Sequence, residues 1–302
     1  MSVTVPVEEQ TRTTPAAEIQ GMTASDGYRV TYRHWPACSQ PPRGYVVALH
    51  GIQSHSGWYD FSCRRLAEAG YDVRFMDRRG SGLNEAQRGH AIHADRLIHD
   101  VVQLISEVRH ERNLVSPNSP VMLKAVSWGG KLAVMTTVRR PELVDGLLLL
   151  YPGICTQKKV NAIKRFLLKT VIELGGAERV ANVVLNAPGA FTDRREFQEY
   201  IENDPLFLTQ ATYGLLHASV QLDEMLATAP EKIRCPVMMM LAGRDRIIDN
   251  TATKKYFQRF ASSDKNLIVY PHACHTLEFE PDRENFLSDL LNEMEKLKKR
   301  HC

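Results

Sequence analysis

Apolar residues fall in short unbroken runs along this chain, and stretches of helical spacing separate the runs. GYVVALHG (44–51), YDVRFMD (71–77), PVMLKAVS (120–127) and LVDGLLLLYPG (143–153) are four of them. CPVMMMLAG (235–243) and NLIVYP (266–271) continue the series. Runs of this length bounded by Gly, Pro or Asp read as strands buried on both faces. The intervening segments at about 57–69, 94–112, up to Arg140, 251–261 and 282–299 read as helices. Such alternation predicts an α/β fold class with a mostly parallel central sheet covered by helices on both faces.

The alternation breaks between about residues 153 and 232, where the pattern is mostly helical. This predicts a helical cap (153–232) inserted between two strands of one core, made of 19–152 and 233–300. Residues 1–18, rich in Thr, Pro and Glu, read as a flexible tail. In TASDGYRVTYRHW, Asp26-Gly27 lies between two β-rich segments and predicts a hairpin whose central residues both take positive φ.

Composition narrows the picture little but excludes some classes. The 38 basic and 35 acidic residues give a net charge of +3, mixed along the chain, which argues against a nucleic-acid partner. The six cysteines are scattered without a CxxC pair, and no run of about 18 apolar residues could span a membrane. The N-terminus carries Glu8 and Glu9 and lacks the apolar core of a secretory signal. The expectation is a cytoplasmic protein with reduced thiols.

In a parallel sheet, ligands gather where the strands end. The predicted strands end in His50-Gly51-Ile52-Gln53, in Asp77-Arg78-Arg79-Gly80, in Ser127-Trp128-Gly129-Gly130, in Gly243-Arg244-Asp245 and in the segment closing on His275. A serine hydroxyl is a weak nucleophile until a base takes its proton, and the base needs an acid to orient it. The order Ser127, Asp245, His275 therefore predicts a nucleophile, an orienting acid and a base. Asp249 reads instead as the cap of the following helix, His272 as an exposed loop residue and Cys274 as a small packing residue. Asp77 and Arg78 read as braces for neighbouring loops. His90, His93, Asp95 and His99 cluster in the sequence, but their spacing fits no compact metal-ligand set. Neither a metal nor a cofactor is expected. In KKVNAIKRFLLKTVIEL (158–174), Val160, Ile163, Leu167, Val171 and Leu174 share a helical face among basic residues. That is the pattern of a cap helix over a pocket, with peripheral membrane contact as the sharper reading.

Together, SDGYRVTYRHWP, the His50-Gly51 pair, DRRGSG (77–82), AVSWGG (125–130), GRDRIID (243–249) and CHTLEFE (274–280) give the chain a family resemblance. From about residue 22 to 290 it resembles α/β-hydrolases of the monoacylglycerol lipase and lysophospholipase-like group, the serine aminopeptidase S33 or hydrolase-4 type. Ala125 stands where the G-x-S-x-G elbow has its first glycine, and Ile52-Gln53 where relatives have a glycine-rich run. The resemblance implies hydrolysis of monoacylglycerols, lysophospholipids or similar acyl esters. It also implies an oxyanion hole from the backbone N–H groups of Ile52 and Trp128, with His50, Gly51 and Gly129 in support. The alternatives on the same scaffold are acyl transfer, carbon–carbon bond hydrolysis and a non-catalytic receptor or scaffold.

Overall fold

Continuous apolar runs become the centre of one twisted sheet. The structure is a computed structural model in which residues 16–158, 160–183 and 187–301 are described; residues 1–15 of the expected tail lie outside them. In chain order the first half comprises β1 (Glu18–Thr23), β2 (Arg29–Trp35), β3 (Gly44–Leu49), α1 (Asp60–Glu68), β4 (Tyr71–Met76), α2 (Ala94–Val115), β5 (Val121–Val126), α3 (Gly129–Arg139) and β6 (Gly146–Leu150). An inserted segment follows, with α4 (Ala162–Glu173), β7 (Val180–Asn182), α5 (Arg195–Glu202), β8 (Gln210–Thr212) and α6 (Tyr213–Leu226). The core resumes with β9 (Val237–Ala242), α7 (Asn250–Gln258), β10 (Lys265–Tyr270) and α8 (Arg283–His301).

The large sheet has the order β1-β2-β4-β3-β5-β6-β9-β10. From β4 to β10 neighbouring strands run parallel, and β1 and β2 add an antiparallel edge. Every residue of β3, β4, β5, β6 and β9 is buried, which is why these strands read as mostly apolar runs, interrupted only by the buried Asp72, Arg74 and Lys124. Within them the faces alternate. Leu147 and Leu149 of β6 join the core under α2, α3, α6 and α7, whereas Leu148 and Leu150 join the core under α1, α5 and α8. Burying each such leucine stabilises the fold by about 1.5–3 kcal/mol.

Two details depart from the sequence reading. Gly27 takes a positive φ of 82°, but Asp26 does not. The Gly27 N–H bonds Ala24 O at 2.8 Å and the Ala24 N–H bonds Tyr28 O at 2.8 Å, so the loop is a three-residue turn closed by a left-handed glycine. The insert is also not purely helical: β7 and β8 pair as a short antiparallel ribbon. Three-residue strands are too short to leave a period.

The position of the site follows from the topology. The chain leaves β3 to form β4 on one side and then crosses to form β5 on the other. A crevice opens at such a reversal, between the loops that leave β3 and β5.

Candidate active site

Ser127 is the first residue after β5 and one of the few non-glycine residues with positive φ, 49°. A left-handed residue costs about 1–3 kcal/mol and persists only where its surroundings hold it. Here the Ser127 N–H bonds Leu150 O at 3.1 Å, and Ser127 O accepts from the N–H groups of Gly130 at 2.9 Å and Gly153 at 2.6 Å. The turn also brings α3 hard against β3. A Cβ on Gly129 would stand 2.6 Å from His50 O, a distance no side chain tolerates. Ala125, two residues before the serine, is fully buried in the sheet core.

The loop after β10 carries His275 onto this turn. Its Nε2 lies 2.9 Å from Ser127 Oγ and its Nδ1 lies 2.8 Å from Asp245 Oδ2. Since an ionised carboxylate only accepts, Nδ1 carries the proton and Nε2 is free to accept from the serine hydroxyl. Asp245 is held in turn, its Oδ1 accepting from the N–H groups of Ile247 at 2.8 Å and Ile248 at 2.9 Å. Both side chains are almost wholly shielded from solvent. Tyr151, another left-handed residue, packs its ring edgewise on His275 with centroids 4.8 Å apart. The competing candidates lie elsewhere. Asp249 caps α7 by accepting from the Ala252 N–H, His272 is exposed, and Cys274 is buried.

Opposite the serine stands the loop 50–55. A Cβ on Gly51 would lie 3.3 Å from Ser127 Cβ, so the loop's backbone passes directly over the hydroxyl. Among the described residues, neither the Ile52 nor the Trp128 N–H has a backbone carbonyl partner. Ile52, Trp58, Ser127, Tyr151, Phe191 and His275 share the lining of one small pocket. Both ring nitrogens of His50 are engaged within the core. Its Nε2 accepts from the Arg78 N–H at 2.9 Å, so its proton sits on Nδ1, which donates to Gly51 O at 2.6 Å. Burial, with the Arg78 charge adding to it, pushes His50 down to about 3 and keeps it neutral.

Arg78 braces the same loop. It donates to Gly51 O at 3.3 Å, Ile52 O at 3.1 Å and Ser81 Oγ at 2.5 Å, and its guanidinium lies 4.9 Å from the Trp128 ring centroid. Burial lowers Arg78 to about 10, which still leaves it charged at neutral pH. Asp77 accepts from the N–H groups of Ser56 at 2.7 Å and Leu83 at 2.9 Å, tying down both neighbouring loops. The sequence reading missed Ser54, Tyr59 and Tyr151. Ser54 Oγ accepts from the Gly51 N–H at 3.0 Å and meets Tyr59 Oη at 3.0 Å. The cue was the polar run Ser54-His55-Ser56 directly behind the His50-Gly51 pair.

The insert holds a separate cavity of about 900 Å³. Val160, Leu167, Leu168 and Val171 of the α4 region, Leu216 of α6 and Ile247 beside Asp245 make its lining largely apolar. Two members of the histidine cluster are engaged elsewhere: His90 Nδ1 lies 2.9 Å from Thr212 Oγ1, and Asp95 pairs with Arg139 at 2.6 Å. Among the described residues no group of His, Cys, Asp or Glu is arranged to hold a metal ion, and no helix is long and apolar enough to cross a membrane.

Residues 40–282 match the family described as serine aminopeptidase, S33. The chain is 24% identical to the monoacylglycerol lipase of Mycolicibacterium smegmatis over 264 residues, covering 87% of this chain and 92% of that one. It is 25% identical to human monoglyceride lipase, covering 91% and 90%. Among solved structures, a soluble variant of Saccharomyces cerevisiae monoglyceride lipase in complex with a substrate analog superimposes with a TM-score of 0.84 at 19% identity, covering 97% and 99%. With its mostly parallel sheet, its strand order and a family match over most of its length, the chain belongs to the serine aminopeptidase S33 family and is a monoacylglycerol lipase-like α/β-hydrolase.

Proposed function

We propose that this protein is a serine hydrolase in which Ser127, His275 and Asp245 act as nucleophile, base and orienting acid on acyl esters such as monoacylglycerols or lysophospholipids. That it is a carboxylic ester hydrolase follows from its family and relatives. One observation carries the roles of the three residues: the unbroken row of hydrogen bonds from Asp245 through His275 to a serine on a left-handed turn.

In this reading Ser127 Oγ attacks the ester carbonyl as His275 Nε2 takes its proton, and Asp245 stabilises the imidazolium that forms. The carbonyl oxygen becomes an oxyanion between the N–H groups of Ile52 and Trp128. Fixed donors of this kind are worth about 10²–10³ in rate each. The imidazolium then protonates the departing alcohol, leaving an acyl group on Ser127. Water, deprotonated by the same nitrogen, attacks the acyl carbonyl, and collapse releases the acid and restores the serine. None of these steps calls for a metal or an organic cofactor. His50, Gly51 and Gly129 support the geometry without touching the proton.

The segment 153–232 acts as the cap, and its apolar cavity takes the acyl chain. The outer face of α4 and its C-terminal cap expose Ile163, Phe166 and Leu174 beside Lys164, Arg165 and Lys169, the composition of a face that rests on an anionic lipid surface. Thiols at Cys38, Cys63, Cys235 and Cys274 suit the reducing cytoplasm. Hydrolysis of esters graded by acyl length, with Ser127→Ala as the blank, tests the reading. Turnover is expected with the wild type and absent from the folded variant; turnover retained by the variant overturns it.

A further inference from the structure

The insert does more than roof the site, because it grips the loop on which the proposed oxyanion hole depends. Asp204 lies in the insert between α5 and β8. Its Oδ2 accepts from Trp58 Nε1 at 2.7 Å and from His55 Nε2 at 2.9 Å. Its Oδ1 accepts from the Leu206 N–H at 2.9 Å, which pins the carboxylate to its own loop. The His55 ring is fixed at its other end too, with Nδ1 accepting from the Gly57 N–H at 3.0 Å. Four residues on, Leu208 completes the grip: its N–H donates to Gln53 O at 3.0 Å, and its carbonyl accepts from Gln53 Nε2 at 3.0 Å. Trp58 is also wedged among rings of the insert, stacked on Phe207 at 5.9 Å and edge-on to Phe191 at 5.5 Å.

These partners are 149 and 146 residues apart in the chain, and the Asp204 side chain is only 4% exposed. Burial alone would raise its carboxyl, but the bonds from His55 and Trp58 outweigh burial and hold it below the usual aspartate range. A buried carboxylate serving three donors is costly to place and costly to lose. None of its partners is among the groups to which the proposed mechanism gives a proton or a bond. They flank Ile52, whose N–H the mechanism uses.

We infer that Asp204 is a positioning residue for ester hydrolysis: through His55 and Trp58 it sets the loop that carries the Ile52 N–H, so that the oxyanion hole is in register only while this part of the insert is seated. The inference rests on the oxyanion role proposed above for Ile52. The core side of the loop is held by His50, Arg78 and Ser54, and the insert side by Asp204 and Leu208. One side alone leaves a short loop free to shift, and a shift near 1 Å at a reacting centre costs up to about 10²-fold in rate.

The test is Asp204→Asn, nearly the same size but with a single acceptor oxygen for donors on both sides. Its kcat is expected to fall about 10- to 100-fold with KM changed less than about threefold. The fold-loss should be equal for acetyl and long-chain esters, because the oxyanion is common to both. Trp58→Phe keeps the wedged ring and removes only the Nε1–H, so it serves if the first variant does not fold. Its kcat is expected to fall about 3- to 10-fold, again independently of acyl length. Wild-type kcat in a folded variant overturns the inference. So does a loss that grows with acyl length or falls on KM alone, since Asp204 would then shape the acyl cavity. Ser127→Ala assayed alongside separates the two levels. Turnover that survives it overturns the hydrolytic site itself, and a dead Ser127→Ala beside a wild-type Asp204→Asn overturns only the positioning role.

Discussion

The turn after β5 and helix α4 are both rich in small or apolar residues, yet the molecule treats them in opposite ways. Around Ser127 nearly every group is spoken for. Gly129 has no room for a methyl group, three backbone bonds hold the left-handed serine, and His275 and Asp245 are buried behind it. On α4 no residue is buried, and Ile163, Phe166 and, at its C-terminal cap, Leu174 are 71%, 69% and 82% exposed. The difference separates two demands on one enzyme. Proton transfer and oxyanion binding require atoms fixed to within a fraction of an ångström, which takes many mutually supporting contacts. Admitting a chain of carbons requires a cover that gives way, and covers of that kind are poorly packed. Asp204 lies between the two regions in function: it belongs to the insert but is bonded as tightly as the turn.

The largest effect is expected at the rigid end of the molecule. Asp245→Asn keeps the shape of the acid and removes its charge, leaving His275 without a reliable tautomer. The expected loss in kcat is about 10⁴-fold with melting temperature almost unchanged, read by steady-state kinetics beside thermal unfolding. A small kinetic loss would mean that the bond from Asp245 to His275 only holds the loop together.

A second, smaller effect concerns pH. His50 titrates at 6.5 when unperturbed and at about 3 in the fold, mainly through burial. Between those values the unfolded chain binds the extra proton and the native one does not. The stability that His50 contributes is therefore complete above about pH 6.5 and is lost as pH falls toward 3. The slope reaches at most about 1.4 kcal/mol per pH unit. In His50→Gln, stability measured by urea unfolding should vary less between pH 6 and 4 than in the wild type. An unchanged slope would show that His50 is not a buried neutral brace.

Much of this architecture is legible in the sequence because burial on both faces leaves a mostly apolar run. Strands β3, β5 and β9 fall within a residue or two of the segments 44–51, 120–127 and 235–243, and β6 lies inside 143–153. The family, and the order of Ser127, Asp245 and His275, are equally readable, because Ser127 follows directly on one run and the other two stand within a few residues of later runs. What the sequence hides is whatever is closed by distant partners. Nothing near His55 or Trp58 announces Asp204, some 150 residues away. Tyr151 is invisible for a related reason: only the fold puts its ring on His275 and bends its backbone to φ 37°. At Asp26-Gly27 the dipeptide marked a turn correctly but not its type, because the number of loop residues, and not the pair alone, decides which backbone must be left-handed.

The smallest stability effect is expected on α4. Ile163→Ser with Phe166→Ser removes only exposed apolar surface and should change unfolding free energy by no more than about 0.5 kcal/mol. Turnover of a short soluble ester should be unaffected, while binding to anionic vesicles in a sedimentation assay should drop several-fold. A loss of several degrees in melting temperature would show that α4 is packed after all, and undiminished vesicle binding would overturn the proposed membrane contact.

The most direct test of the central claim is to find where the acyl-like adduct forms. Intact mass and peptide mapping after treatment with a fluorophosphonate should place one adduct on the peptide containing Ser127, with ester turnover lost in proportion. A labelled enzyme that stays active, or an adduct on any residue other than Ser127, would contradict the account.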